Sequence, residues 1–169
     1  MEQSLDKKPD LKDAIQSFFY NNKKKIFLFI FIVITITIAF FLWKDNNYKK
    51  NILISEKYTK AQLLLSKNDK EAATKYYEEI IFSNNKFYSI LSLNIIIEKN
   101  LIKDKQKIKG YFEIIEKLDL TKTDKDLIKL KKALYFIKIL DVENGNKILK
   151  ELIEKDSNLK KIAEDIIKK

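Results

Sequence analysis

The longest apolar run of the chain lies near its N-terminus, from Ile26 to Trp43. Its 18 residues include no charged side chain, no Gly and no Pro. A helix of that length rises about 27 Å, which is close to the thickness of the hydrocarbon core of a bilayer. The alternative is a buried core helix, but the core helix of a small domain normally keeps a polar face. The pattern therefore predicts a transmembrane helix over residues 26–43.

The two ends of this run carry signals for orientation. Trp43 stands where a residue of an aromatic belt would lie. The run is preceded by three consecutive lysines: Lys23, Lys24 and Lys25. Within about 15 residues of the span, each side carries four lysines, but the contiguous triplet and the short N-terminal tail favour the cytoplasm for residues 1–25. Residues 44–169 then form a domain on the opposite side of the membrane.

A cleaved signal peptide is the main alternative to a retained anchor. Cleavage needs small residues, whereas the run exits through the bulky stretch from Phe40 to Trp43. The 25 residues before the run are also long for the N-terminal region of a signal peptide. A retained signal anchor is the better interpretation.

The segment from Pro9 to Asn22 has the pattern of a short amphipathic helix. Pro9 suits the first helical position, and Asp10 and Asp13 fall in the first turn, where the helix dipole favours anions. Apolar residues recur on one face at helical spacing. The segment is either a helix lying on the cytoplasmic leaflet or a simple extension of the membrane helix.

Beyond residue 44, amphipathic helical segments alternate with short polar breaks. The breaks lie at Lys67–Asp69, Ser83–Asn85, Lys103–Lys105, Thr121–Thr123, Asp141–Asn144 and Lys155–Asn158. The sequence from Tyr76 to Ile81 recurs 35 residues later, from Tyr111 to Glu116, and more loosely from Ile148 to Ile153. Repeats near 34 residues are typical of helix-turn-helix units of the tetratricopeptide (TPR) type.

Small residues at repeat-related positions support this interpretation. In the first unit Ala61 and Ala73 lie 12 residues apart, as Ala133 and Gly145 do in the third. Two helices that cross closely need such residues where their backbones meet. In the middle unit Ile96 and Ile108 take these places, so its helices should sit further apart. The predicted fold is all-α: one transmembrane helix, then a TPR-like solenoid of about three helix pairs with a capping helix. An unrelated helical bundle is the alternative.

A TPR-like solenoid binds partners along the concave surface that its first helices line. The repeat positions assign eight residues to this predicted groove: Tyr58, Gln62, Leu65, Leu93, Ile97, Leu130, Leu134 and Ile137. Most are apolar, which suits a partner helix or an unfolded segment. The alternative occupants are the C-terminal helix, through Leu159, Ile162 and Ile166, or a second copy of the chain in a homodimer.

Composition removes several functions. The 169 residues include no Cys and no His, so the usual zinc sites, disulfides, thiol nucleophiles and His-based triads are excluded. The net charge of +10 comes from 34 Lys and no Arg, and Arg is the residue best suited to phosphate and guanine contacts. We therefore expect no nucleic-acid partner.

Carboxylate pairs such as Glu78-Glu79 alternate with Lys and are better explained as solvated ion pairs. We expect no enzyme activity, cofactor or metal, although one sequence leaves a Ser-Lys dyad open.

The whole layout resembles the YfgM-type ancillary subunit of the SecYEG translocon. The stretch Asp10-Leu11 followed by Phe18-Phe19-Tyr20-Asn21-Asn22 and the lysine triplet is similar to the pre-membrane segment of that family. The residues Ala61, Leu64-Leu65, Asn68-Asp69, Ala72-Ala73, Tyr77, Tyr88 and Leu91-Ser92-Leu93 resemble its first helices. The domain of the family is usually longer than the three units here. The resemblance implies a single-pass protein of the bacterial inner membrane with a periplasmic domain.

It also implies the partners, which are translocon subunits, a membrane-anchored periplasmic chaperone and unfolded clients. The function we expect is therefore a membrane-anchored interaction protein that assists protein export or periplasmic folding. The alternative is a scaffold for envelope assembly that associates with itself through the groove.

Overall fold

The computed structural model describes residues 11–168, which form seven α-helices and no strand. They are α1 (Leu11–Ser66), α2 (Lys70–Phe82), α3 (Tyr88–Glu98), α4 (Lys105–Glu116), α5 (Lys122–Lys138), α6 (Val142–Glu154) and α7 (Lys160–Ile167). The predicted all-α class is confirmed for these residues. The chain divides into two compact units, with the boundary between Lys49 and Lys50.

The N-terminal unit contains the long apolar stretch of α1. The most apolar 18-residue window of the helix has a mean hydropathy of 2.9, and none of it is buried. The hydroxyl groups of Thr35 and Thr37 donate to the carbonyl oxygens of Phe31 (2.9 Å) and Val33 (2.8 Å). These bonds satisfy the polar side chains of the stretch within the helix, as a lipid environment requires. By length and composition α1 can cross a membrane, as a membrane anchor or a signal sequence would.

The residues around the apolar stretch are helical as well. α1 begins at Leu11 and continues without interruption through the lysine triplet. Of the two alternatives for the segment before the span, the structure has the helical extension; Pro9 and Asp10 lie outside the described residues. The side chains of Lys23, Lys24 and Lys25 are exposed, and Trp43 is exposed beside the Phe40 ring, 6.2 Å away between centroids.

In the C-terminal unit, asparagine serves where many proteins use glycine to end a helix. Five non-glycine residues have a positive φ, and all follow helix ends: Asn68, Asn84, Asn100, Leu140 and Asp156. Asn tolerates this left-handed conformation better than most residues. The two glycines of the chain lie inside helices instead. Each predicted polar break falls at or next to an observed helix end, and three of the breaks contain a left-handed residue: Asn68, Asn84 and Asp156.

Helix starts are capped by side chains of the same polar breaks. Asp69 accepts from the amide of Ala72 at 3.1 Å, and Thr121 accepts from the amide of Asp124 at 3.1 Å. Asp104 accepts from the amide of Gln106 at 2.9 Å. Such caps satisfy amides that have no partner within the helix.

The helix pairs differ in how closely they pack. α5 and α6 have the most extensive contact, whereas α3 and α4 touch much less. Gly145 explains the close approach: a Cβ atom there would lie 3.0 Å from the carbonyl oxygen of Ala133 and 2.6 Å from Cγ1 of Ile137. Ile96 and Ile108 stand at the corresponding places between α3 and α4, and both are buried. Their larger side chains hold those two helices apart.

The repeat positions identified in the sequence occupy the core. Tyr77, Phe112 and Leu149, which are related by the internal repeat, are at most 1% exposed. The positions four residues earlier, and those in the preceding helix, are also buried: Ala73, Ile108, Gly145, Ala61, Ile96 and Ala133. The side chains form two neighbouring clusters, one spanning α1 to α5 and the other joining α5, α6 and α7.

Long-range side-chain hydrogen bonds recur at a nearly constant sequence separation. Tyr88 donates to Ser55 at 2.9 Å and Tyr111 donates to Glu78 at 2.7 Å, each across 33 residues. Further bonds between side chains join Asn51 and Asn85, Lys86 and Asp119, Asn94 and Lys131, Lys109 and Asp141, and Asp126 and Ser157, across 31 to 37 residues. Each of these bonds therefore joins parts of the chain that lie about two helices apart.

Candidate interaction surface

A largely apolar cleft lies between α3 and α5 in the C-terminal unit. We call it the α3–α5 cleft. Lys131 on α5 donates from Nζ to Oδ1 of Asn94 on α3 at 2.9 Å. This bond crosses the cleft and divides it into two hollows, because both residues line both of them.

The larger apolar area belongs to the first hollow, which we call the Phe87 hollow. It has a volume of about 450 Å³. Its apolar walls are Phe87, Ile90, Leu91, Leu120, Leu127 and Ile128. Phe87 is 63% exposed and Leu127 is 40% exposed, so these side chains present apolar surface to solvent. Exposed apolar surface of this kind, in a concave setting, is a common feature of binding sites.

The polar residues of the Phe87 hollow are already paired with one another. Lys86 forms an ion pair with Asp119 at 2.8 Å. The hydroxyl of Thr121 donates to Asp124 at 2.7 Å. The hollow therefore offers few free polar groups apart from the Lys131–Asn94 pair at one end.

The second hollow, the Leu134 hollow, lies on the other side of this pair. It also has a volume of about 450 Å³. Ile97, Leu134 and Tyr135 supply its apolar walls, and Glu98 and Lys138 lie at its edge. Leu134 is 43% exposed.

Lys131 differs electrostatically from the lysines beside it on α5. Lys129 pairs with Glu151 at 3.3 Å, and Lys132 pairs with Glu116 at 2.8 Å. Lys131 forms no ion pair within residues 11–168 and bonds only to the neutral amide of Asn94. Burial lowers the pKa of its ammonium group, because no carboxylate compensates for the lost hydration.

The predicted groove residues do not form one continuous surface. Ile97 and Leu134 lie together in the Leu134 hollow. Gln62 and Leu65 line a separate hollow of about 540 Å³ beside α2 and α3. Tyr58 is half-buried, with its ring 5.8 Å from that of Tyr77.

Three of the predicted residues belong to the interior instead. Leu93 is 1% exposed and Leu130 is 7% exposed, so neither offers surface to a partner. Ile137 is half-buried against the crossing of α5 and α6 at Gly145. These side chains pack within the helix pairs because α3 and α5 turn those faces toward their neighbours.

The sequence interpretation missed the pair that divides the cleft. Asn94 is the one amide in the apolar stretch from Ile90 to Ile97. A single amide among apolar residues could have indicated this position in the sequence. Lys131 carried no signal, because it is one of four lysines between Lys125 and Lys132. Phe87 and Leu127 lie next to polar breaks and were not assigned to the groove.

The C-terminal helix does not enter the α3–α5 cleft. α7 packs on α6, where Ala163 is buried beside Leu149 and Leu152. Leu159 and Ile166 join the same cluster, while Ile162 is exposed. No residue of α7 lines either hollow.

The carboxylate pairs of the sequence mostly connect different helices. Glu78 contacts both Lys107 and the Tyr111 hydroxyl on α4. Glu79 pairs with Lys57 on α1 at 2.7 Å. Burial, followed by the bond to Glu78, raises the pKa of Tyr111. These groups join helices, and the part of the chain that the structure describes contains no cluster of three metal-binding side chains.

Comparisons with protein-family models, with curated proteins and with solved structures found no significant match.

Proposed function

We propose that the protein is a membrane-anchored interaction module that assists the export or periplasmic folding of other proteins, as the YfgM-type translocon subunits that it resembles do. In this proposal α1 anchors the chain in the bacterial inner membrane with its N-terminus in the cytoplasm. The partners are translocon subunits, a membrane-anchored chaperone and unfolded clients.

The C-terminal unit would be a TPR-like solenoid of three helix pairs, with α7 as the cap. The recurrence of side-chain bonds across 31 to 37 residues supports this arrangement. So does the pair of equivalent bonds within the outer units, Lys57 to Glu79 and Lys129 to Glu151, each across 22 residues. Solenoids of this kind bury a core between neighbouring repeats and leave one face free for partners.

The observation that carries the proposal is the open apolar surface of the α3–α5 cleft. Phe87, Leu127 and Leu134 expose large side chains along one side of the unit, and α7 lies elsewhere. A partner segment with apolar side chains would bury this surface, and each apolar Å² removed from water stabilises a complex by about 25 cal/mol before the costs of association.

Site-specific photo-crosslinking in cells tests the proposal. A photoreactive residue replaces Leu127 or Leu134 in the full chain, and Phe82, which is exposed on α2 and lines neither hollow, serves as the matched control. We expect the two cleft positions, but not position 82, to capture translocon subunits or exported proteins identified by mass spectrometry. Recovery of crosslinks only between copies of this chain would instead support the scaffold alternative.

Protease accessibility in spheroplasts tests the proposed orientation in the membrane. In the proposed orientation, added protease digests the C-terminal unit in spheroplasts and leaves it intact in unbroken cells. Protection of this unit in spheroplasts would contradict the orientation.

A further inference from the structure

The Lys131–Asn94 pair creates an unusual electrostatic setting at one end of the Phe87 hollow. The Nζ atom of Lys131 is partly buried and its bond partner is a neutral amide oxygen. A cation in such a setting gains from any anion that replaces its lost hydration. The Nδ2 group of Asn94 is a second donor of the same pair.

The rest of the hollow sets the shape and polarity of a ligand. Its walls are six apolar side chains, and its volume of about 450 Å³ lies within the range of about 300–1,000 Å³ typical of small-molecule sites. Asp124 lies two turns before Lys131 on α5, roughly 10 Å along the helix axis, and Asp119 precedes the helix, so their carboxylates would repel an anion at that end of the hollow. A ligand would therefore place its negative group on Lys131 and its apolar body against Phe87 and Leu127.

We propose that the Phe87 hollow binds an aliphatic monocarboxylate of fatty-acid type, with its carboxylate on Lys131 and Asn94. The hydrocarbon chain packs on Phe87, Ile90, Leu91 and Leu127. A fatty acid fits better than the C-terminal end of a peptide, because a peptide backbone needs several polar partners. The polar residues that could serve, Lys86 and Thr121 among them, are already paired.

The fatty-acid site does not rest on the proposed function, although both would use the side chains of Phe87 and Leu127. A fatty acid would occupy one hollow of the cleft whether or not a protein partner uses the surface. The membrane that α1 is able to enter is a source of such ligands.

Photoaffinity labelling of the full chain in zwitterionic lipid nanodiscs tests the site. The probe is decanoate that carries a diazirine on its chain, and labelled peptides are identified by mass spectrometry. We expect labels on α3 and α5, competition by unlabelled decanoate, and at least about tenfold weaker competition by decanol, which lacks the charge.

Three variants separate the role of Lys131 from general charge. Asn94→Asp supplies Lys131 with a carboxylate of the protein itself, and Lys131→Met removes the cation. Lys125→Met is the control, because Lys125 is exposed on the same helix and outside the hollow. The first two should lose labelling by roughly tenfold or more, whereas Lys125→Met should retain it. Thermal unfolding of each variant verifies that the fold persists.

Several results would overturn the site. Equal competition by decanol would show that the carboxylate is not recognised. Full labelling of the folded Asn94→Asp variant would show that Lys131 is not the anchor. Displacement of the probe by an apolar peptide with a free C-terminus, at concentrations where unlabelled decanoate fails, would assign the hollow to a peptide instead.

Discussion

The middle helix pair, α3 and α4, and the third pair, α5 and α6, solve the same packing problem in different ways. In the third pair Ala133 and Gly145 let the backbones approach closely. In the middle pair Ile96 and Ile108 keep the helices apart, and large buried side chains such as Phe112 fill the space. Close backbone approach in one helix pair and side-chain volume in another therefore serve within the same C-terminal unit. Different substitutions should therefore destabilise the two helix pairs.

Removal of a large side chain should harm the middle pair most. Phe112→Ala deletes a ring that is 1% exposed and lies 5.9 Å from the ring of Tyr135. We expect a loss of about 3–5 kcal/mol in the free energy of unfolding, measured by urea denaturation of the full chain with far-UV circular dichroism. Phe87→Ala, at an exposed position, is the control and should cost far less. Equal losses would show that Phe112 is not central to the core.

Addition of one methyl group should harm the third pair. Gly145→Ala puts a Cβ atom 3.0 Å from the backbone oxygen of Ala133, which cannot move without shifting α5. We expect a net loss of about 1–2 kcal/mol, because overpacking exceeds the gain in helix propensity.

The other glycine provides the matched comparison for this substitution. Gly110 lies in α4, and a Cβ atom there would meet nothing within 4 Å. Gly110→Ala should therefore stabilise the protein by about 0.5–1 kcal/mol. If Gly110→Ala and Gly145→Ala change the free energy of unfolding in the same direction, the close approach of α5 and α6 does not determine the effect at position 145.

The turns after α3 and α5 differ in their left-handed residue. Asn100 and Leu140 both have a positive φ, but Leu140 lacks the side chain that suits it and is 88% exposed. Leu140→Asn should stabilise the protein by about 1 kcal/mol, and Asn100→Leu should destabilise it by a similar amount. Thermal denaturation of both variants measures the effect. A loss on Leu140→Asn would reveal a packing role for Leu140 that its exposure does not suggest.

The first and middle helix pairs differ by one oxygen atom at a core position that the internal repeat relates. Tyr77 is the repeat equivalent of Phe112, yet its buried hydroxyl has no hydrogen-bond partner among the described residues. Tyr77→Phe removes this unsatisfied group, and we expect a gain of roughly 1 kcal/mol at neutral pH. An unchanged or lower free energy of unfolding would indicate that the hydroxyl is satisfied in solution.

The same substitution should change the response to alkaline pH. Burial, with a smaller effect from Tyr58, raises the pKa of Tyr77 to about 12. Because the folded state holds the phenol proton more tightly than the unfolded state, the free energy of unfolding is unaffected below the ordinary pKa of about 10 and falls as the pH rises toward 12. Denaturation between pH 9 and 11.5 should therefore show a steeper decline for the wild type than for Tyr77→Phe. Parallel curves would contradict the raised pKa.

The helices and the apolar stretch could be predicted from sequence because their signals are local. The polar breaks around Asn68 and Asn84 coincide with left-handed residues that end helices. The apolar run from Ile26 to Trp43 can be recognised from its residue types alone. Such features depend on neighbours within a few residues.

The surface could not be predicted as well, because it depends on how each helix is rotated. α3 is apolar on nearly every face, and the structure buries the side that holds Ser89, Ser92 and Leu93. Hydrophobic periodicity alone does not choose that side. The partners of Glu78 and Lys131 lie 29 to 37 residues away in sequence, beyond any local pattern.

The nearly constant separation of the long-range contacts has a consequence for how the chain folds. Among the described residues, no side-chain hydrogen bond spans more than 37 positions. Most close contacts of the chain are also local in sequence, which gives a low contact order, and chains of low contact order fold fast. Each helix pair can form its bonds as soon as the next pair has left the ribosome, while the rest of the chain is still being synthesised.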